Sequence, residues 1–387
     1  MSNVRSKESY NLDDVVKENK GKMEYSYLGQ SGLRVSKICL GMMSYGDKRW
    51  SEWLLEGTLP SALASSSLPP ANLPPGTIEE ESLPLIKAAY DSGINFFDTA
   101  DIYSNGVSEV ITGKAIKKYN LPRNEIVVAT KLFGTVARNW EKCIGVDKEV
   151  LEKEFHHANN NGLSRKHIFD AVDASLKRLD LEYIGKSAYL LQIHRADPHV
   201  PYAETMRALH DVVQSGKVRY IGGSSMWAWQ FMEYNMTARL HGWTEFISMQ
   251  NFYAASYRNE EQEMLPLCKK HGIGVIPWSP LAGGLLTRPP KDFGETSRGK
   301  QKISQAQQCD TDVAGAVEKV ANRLQLPMAQ VACAWVLKNP VITAPIVGIS
   351  NARSLDDALK AVHVKLSDED VKEIEDAYSV RPNQGFS

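Results

Sequence analysis

The chain is short of several things that would give a function away. It holds five cysteines in 387 residues, Cys39, Cys143, Cys268, Cys309 and Cys333. The number is odd, and no C-x-x-C or Cys/His ligand spacing occurs. A disulfide framework and a structural zinc site are therefore not expected, and a reducing compartment is. Charge of either sign is not in surplus: 45 Lys and Arg against 46 Asp and Glu leave a formal net charge of −1 at pH 7. Partners held by bulk electrostatics, such as nucleic acid or an anionic membrane, are not expected. No apolar run is long enough to span a bilayer. The opening MSNVRSKESYNLDDVVKENKGK lacks the apolar core of a signal peptide. The closing RPNQGFS matches no lipidation or peroxisomal signal. A cytoplasmic protein is what these absences leave. Also missing is a G-x-G-x-x-G after a strand, which speaks against an open, doubly wound dinucleotide-binding sheet.

What is present reads as a repeating grammar. Hydrophobic residues make up 43% and charged residues 24% of the chain, ordinary for a globular protein. At about 150 residues per domain the length allows two or three domains or one large barrel, and a core that needs no staples. Residues 1–22 read as a flexible tail. MEYSYLGQSGLRVSKICLG then alternates on both sides of a glycine-containing turn, the pattern of a hairpin. Short apolar or β-branched runs follow at 35–41, 95–100, 126–132, 188–194, 218–224, 246–252, 273–279 and 343–349. Amphipathic stretches separate them. SLPLIKAAYDSG, for example, carries Leu83, Ile86, Ala89 and Tyr90 at helical spacing and stops at Gly93. Strands and helices in strict alternation predict a parallel sheet covered on both faces. Eight such units fit an α/β fold of the (β/α)8 barrel kind, one domain over 23–387 with an N-terminal β-hairpin and a C-terminal helix. GTLPSALASSSLPPANLPPG (57–76) breaks the pattern, and its prolines read as a flexible insertion after the first barrel strand.

In a barrel of this kind the chemistry sits at the C-terminal ends of the strands. The second strand ends in Asp98, with Tyr103 five residues on. The third ends in Lys131 and the fourth in His194. An acid, a phenol, an amine and an imidazole thus reach one rim from three adjacent strands. A phenol with a pKa near 10 is a poor acid at neutral pH. A neighbouring ammonium favours phenolate and is expected to lower that pKa. An aspartate would pair the lysine, and a histidine would orient a substrate oxygen or relay a proton. Together they suit a carbonyl oxygen that gains charge as hydride reaches its carbon. Singly, each has a plainer explanation: a turn cap, packing or a solvated amine. Four at matching strand ends make coincidence a poor account. A phosphate-binding isomerase or aldolase with Lys131 as a Schiff base leaves Tyr103 and Asp98 unexplained.

NFFDTADIYSNGVSE, VVATK, LLQIHR, GKVRYIGGSS, MQNFY, VIPWSPLAGGLL and PIVGIS, in this order, resemble the aldo-keto reductase superfamily over residues 23–378. The resemblance is nearer to the fungal and bacterial aryl-alcohol-dehydrogenase-like branches, and to the potassium-channel β-subunit branch, than to the short-loop mammalian aldose reductases. It implies a barrel that binds NADPH in extended form and reduces aldehydes or ketones. By the same resemblance Tyr103 is the general acid, Lys131 and Asp98 tune it, and His194 positions the carbonyl. Ser224 and Gln250 match positions that hold the nicotinamide carboxamide, and Trp278 the position that stacks on its ring. Ser279, Leu281, Gly283 and Leu285 match the loop that wraps the pyrophosphate. Gly348, Ser350, Arg353 and Asp357 match the segment for the adenosine 2′-phosphate and adenine. A phosphate beside Ser350 would also meet free N–H groups at a helix start, and Arg353 would pair with it. Read plainly, Ser354 and Asp357 have the spacing of a capping box.

The chain departs from the family pattern in three places. Ser225 stands where many members have Asn, 57–76 is long, and Gly185 to Ala188 are additional. The aromatics Tyr45, Trp50, Trp53, Trp140, Trp227, Trp229 and Tyr253 follow strand ends and imply an apolar mouth for aryl or polycyclic carbonyl compounds. The expected function is therefore reduction of a small-molecule carbonyl substrate, in a monomer or weak homo-oligomer, with a role in secondary metabolism. The alternative is a cofactor-binding regulatory subunit of the channel β-subunit type.

Overall fold

The computed structural model describes residues 10–55, 79–138, 156–181 and 189–384. The two insertions at 57–76 and 185–188 and the first nine residues of the expected tail lie outside them.

The polar N-terminal stretch is not all tail. Residues Leu12–Asn19 form helix α1. Asn11 caps it, its Oδ1 accepting from the Asp13 N–H at 2.9 Å, and Asp13 and Asp14 sit in the positive first turn. At the other end Asn19 Nδ2 donates to Asp356 at 3.1 Å and Glu18 pairs with Lys360 at 2.9 Å. This corrects the reading of 1–22 as a flexible tail: buried Val15, on a short apolar face with Leu12 and Val16, and two polar anchors fix the helix.

Strands β1 (Tyr25–Tyr27) and β2 (Arg34–Ser36) form the expected antiparallel hairpin, with Ser26 opposite Val35. Eight further strands form one sheet. They are β3 (Cys39–Gly41), β4 (Phe96–Asp98), β5 (Val127–Leu132), β6 (Tyr189–Ile193), β7 (Tyr220–Ser224), β8 (Phe246–Gln250), β9 (Gly274–Val275) and β10 (Ile346–Gly348). From β3 to β9 each strand lies beside its predecessor, and β10 lies beside β3. The pairs β4–β5, β5–β6 and β6–β7 are parallel. A parallel bridge joins Trp278 to Ile346, whose N–H reaches Pro277 O at 2.9 Å, so the stretch after β9 is tied to β10. All eight expected strands are present, and the fold is of the α/β, (β/α)8 barrel class. All six β5 residues are buried, as a strand covered on both faces requires.

The chain divides into two compact units. The first comprises Met1–Leu40, Leu85–Asn95 and Met249–Gly385, and the second Gly41–Pro84, Phe96–Ser248 and Phe386–Ser387. Helix α2 (Glu79–Asp91) carries the stripe read from the sequence. In the second unit, helices α3 (Val107–Lys118), α4 (Arg165–Arg178), α5 (Tyr202–Gln214) and α6 (Ala228–Leu240) follow the strands. Helix α4 shows why such segments fold so. Ser164 Oγ caps it through the His167 N–H at 3.2 Å, and Ile168, Ala171, Val172 and Ser175 are buried at three- and four-residue steps. Each large apolar side chain buried in this way contributes about 1.5–3 kcal/mol.

The first unit adds α7 (Met264–His271), α8 (Ser297–Ile303), α9 (Gln308–Leu324), α10 (Met328–Lys338), α11 (Ala352–Ala361) and the C-terminal helix α12 (Asp368–Asp376). Helix α7 ends at Gly272, left-handed at φ +65°. Among the described residues no helix is long and apolar enough to cross a membrane.

Candidate active site

Parallel register brings together the four expected catalytic residues, all of them in the second unit. Asp98 ends β4 opposite Ala129, Lys131 in β5 lies opposite Gln192, and His194 follows β6. Lys131 Nζ donates to Asp98 Oδ2 at 2.5 Å, to Thr99 O at 2.9 Å and to Tyr103 Oη at 3.3 Å. Gln192 Nε2 donates to the other Asp98 oxygen at 3.0 Å. The Lys131 and Asp98 side chains are 0% and 2% exposed. The His194 ring meets the Tyr103 ring edge-on, their centroids 5.9 Å apart.

A strained turn places Tyr103. Ser104 (φ 48°) and Asn105 (φ 52°) are both left-handed, and Gly106 follows at φ 90°. Such conformations cost of order 1–3 kcal/mol each outside glycine. Local hydrogen bonds hold them. The Asn105 amide donates to Ala137 O at 2.9 Å and accepts from Ala137 N at 2.8 Å. Ser104 Oγ accepts from the Asp47 N–H at 3.2 Å.

The electrostatics differ in one respect from expectation. Burial raises the Tyr103 pKa above the ordinary phenol value, and the Lys131 ammonium only partly offsets it. The lysine lowers the pKa as expected, but burial outweighs it, and the phenol is held protonated. Burial also works against the Lys131 ammonium. There the Asp98 carboxylate prevails and keeps the lysine pKa above its usual value.

Three residues that sequence reasoning passed over belong to this region. Gln192, fully buried in an apolar strand, was signalled by its polarity at an inward position. Asn105 gave no such signal. Asp101 is buried, and no side chain among the described residues hydrogen-bonds to its carboxylate. Burial first, then the Glu109 carboxylate, push its pKa up to about 8.

Ser224 ends β7, its Oγ 3.2 Å from that of Ser225, which is left-handed at φ 49°. Asparagine tolerates this conformation better than serine does, so the departure at Ser225 carries backbone strain.

The remaining predicted residues lie in the first unit. Gln250 is buried at the end of β8. Trp278 stacks on Phe252 at 4.6 Å, and Phe252 stacks on Tyr257 at 4.3 Å. In the following loop Ser279, Ala282, Gly283 and Gly284 all have positive φ, from 50° to 102°. Leu281 O accepts from the Gly284 and Leu286 N–H groups, whereas the Leu285 side chain is core, 5% exposed.

Gly348 is exposed in β10. Ser350 N donates to Ser354 Oγ at 2.9 Å. The capping box at α11 uses Asn351, whose Oδ1 accepts from the Ser354 N–H at 2.9 Å. The Ser354/Asp357 cap read from spacing does not form. Asp357 is buried instead and accepts from Gln330 Nε2 at 2.9 Å. The Arg353 side chain is 45% exposed, and Asp357 lies 3.9 Å from it.

The expected aromatic mouth is mostly something else. Tyr45 and Tyr253 are core residues, 0% and 1% exposed. Trp50 and Trp53 pack edge-on at 6.1 Å, Trp227 and Trp229 are exposed, and Trp140 lies outside the described residues. A side chain's type is visible in sequence, but the face it turns to is not.

The Aldo/keto reductase family model matches residues 71–379. Versiconal hemiacetal acetate reductase of Aspergillus parasiticus is 43% identical over 92% of this chain and 97% of its own length. A Schizosaccharomyces pombe protein with a provisional aryl-alcohol dehydrogenase name is 47% identical over 93% of this chain and 97% of its own. An aldo-keto reductase of Fusarium vanettenii is 42% identical over 95% and 94%. With its strand order, the buried Asp98–Lys131 pair and likenesses of this extent, the chain belongs to the aldo/keto reductase family, oxidoreductases acting on carbonyl and alcohol groups.

Proposed function

We propose that this protein reduces an aryl or polycyclic aldehyde or ketone with NADPH, in secondary metabolism, and that Tyr103 donates the proton to the carbonyl oxygen. The observation that carries the reading is the placement of Lys131 Nζ, bonded to Asp98 on one side and to Tyr103 on the other in the interior. When bound, NADPH supplies the hydride. The carbonyl oxygen then gains negative charge and takes the Tyr103 proton. The buried ammonium beside Tyr103 stabilises the phenolate left behind, and His194 orients the oxygen.

The proposed cofactor residues are Ser224, Gln250, Trp278, Ser279, Leu281, Gly283, Leu285, Gly348, Ser350, Arg353 and Asp357. The fit to a dinucleotide phosphate rests on two features. Ser279, Ala282, Gly283 and Gly284 take the left-handed conformations from which anion-binding nests are built, and the Gly283 N–H is not among those donated within the loop. The exposed Arg353 guanidinium suits a 2′-phosphate. Asp357, held by Gln330, would act through α11 rather than by its own carboxylate.

The test follows NADPH oxidation with 4-nitrobenzaldehyde, wild type beside Tyr103→Phe, and titrates NADPH binding by fluorescence. Tyr103→Phe is expected to lower kcat/KM by at least about 100-fold while NADPH binds as before. Equal turnover by both proteins removes Tyr103 from the proton-donor role. NADPH binding without turnover by either protein favours a regulatory subunit over an enzyme.

A further inference from the structure

Arg195 directly follows His194, on the loop leaving β6. A guanidinium carries five N–H donors in a rigid fork and keeps its charge at any ordinary pH. In Arg195, Nη1 donates to the main-chain oxygen of His194 at 2.6 Å. No Asp or Glu among the described residues pairs with it. Three other arginines withdrawn from solvent behave differently. Arg178 pairs with Glu109 at 2.6 Å, Arg258 with Glu261 at 2.8 Å and Arg381 with Asp310 at 2.7 Å.

Burial lowers the Arg195 pKa from its usual value, and the ionisable group acting on it is Tyr103. A cation moved out of water without a counter-charge is costly, and the cost is relieved when an anion arrives. The hydrogen bond to His194 O holds this cation at the residue whose ring meets that of Tyr103, the group proposed to protonate the substrate. Arg195 is half-buried, and of its fork only Nη1 has an acceptor among the described residues.

We infer that Arg195 is an anion-recognition residue of this site, and that the preferred substrates carry an anionic group, a carboxylate or an acidic phenolic oxygen, on the same molecule as the reducible carbonyl. The inference rests on the reductase reading above and deepens it. It narrows the aryl carbonyl class to aromatic aldehydes and ketones that bear a negative charge. Two parallel N–H···O bonds to a carboxylate would orient such a molecule as well as hold it.

The experiment compares 2-, 3- and 4-carboxybenzaldehyde with their methyl esters, which keep the ring and the aldehyde and lose the charge. Wild type is expected to favour at least one acid over its ester by about tenfold or more in kcat/KM, the scale of one charge-assisted hydrogen bond. Arg195→Met should collapse that acid-to-ester ratio toward one, and Arg195→Lys should keep part of it. Benzoate binding, read by calorimetry on the NADP+ complex, should weaken at least about tenfold in Arg195→Met. This second readout needs no turnover.

Equal treatment of acids and esters by wild type overturns the inference and leaves the reductase reading standing. So does an equal loss on both in Arg195→Met, the behaviour of a simple clamp on His194. If wild type reduces no aldehyde of either kind, the reductase reading fails. Unchanged benzoate binding in Arg195→Met then removes the anion seat as well.

Discussion

The Asp98–Lys131–Tyr103 cluster and the 279–284 loop are built by opposite means. The first is a side-chain construction. Its lysine and aspartate are withdrawn from water and satisfied by named partners, Thr99 O and Gln192 among them. The second is a main-chain construction, in which Ser279, Ala282, Gly283 and Gly284 take left-handed conformations. Charges buried in pairs fail when one member is lost. A backbone cradle weakens by small steps as strain is added. The comparison teaches where mutation should act sharply and where it should act gradually.

The sharpest break is expected at Lys131→Met. It leaves the Asp98 carboxylate buried without its cation, at a cost of about 3–5 kcal/mol. The melting temperature reads the effect. The double variant Asp98→Asn/Lys131→Met should be less destabilised than Lys131→Met alone. If instead the losses simply add, the two residues do not act as a pair.

A smaller effect, with a defined pH dependence, is expected at Asp101. Its folded pKa of about 8 lies above the ordinary unfolded value of an aspartate. Between about pH 4 and pH 8 the folded protein keeps a proton that the unfolded chain has released. The stability from this group is therefore full at acid pH and falls as pH rises through that window. Asp101→Asn should remove the fall, which linkage sets at about 1.4 kcal/mol per pH unit or less between pH 5 and pH 8. Urea midpoints at the two pH values check it, and parallel curves for both proteins would place the titration elsewhere.

The smallest effect is expected in the loop. Gly284 sits at φ +102°, and a Cβ there would meet no atom within 4 Å. Gly284→Ala adds backbone strain alone, about 1–2 kcal/mol, and should weaken NADPH binding while the Tyr103 region is untouched. A loss as steep as that at Lys131 would show that the two regions are not built so differently.

Legibility in the sequence followed the same division. The eight strands were readable because each is a short apolar run closed by turn residues. The meeting of Asp98, Tyr103, Lys131 and His194 was readable because Asp98, Lys131 and His194 fall at or beside strand ends, where parallel register aligns them. Helix α1 was not, because its apolar face is short, Leu12, Val15 and Val16, and is set among charged residues. The cap at α11 was placed three residues late, since Asn351/Ser354 and Ser354/Asp357 offer the same spacing. Tyr45 and Tyr253 were placed at a mouth they do not line, because ring type says nothing of orientation. The left-handed turn at Ser104 and Asn105 was signalled only by the Asn105–Gly106 pair, which marks a turn without showing that Ser104 joins it.

The anchoring of α1 has a consequence for the order of events at synthesis. Asn19 meets Asp356, 337 positions along the chain, so the helix made first waits for one made almost last. Contacts this distant in sequence form late, because the loop they close must already be ordered. Its docking should therefore complete the first unit, and a protease should find this junction open in nascent chains and closed in finished ones.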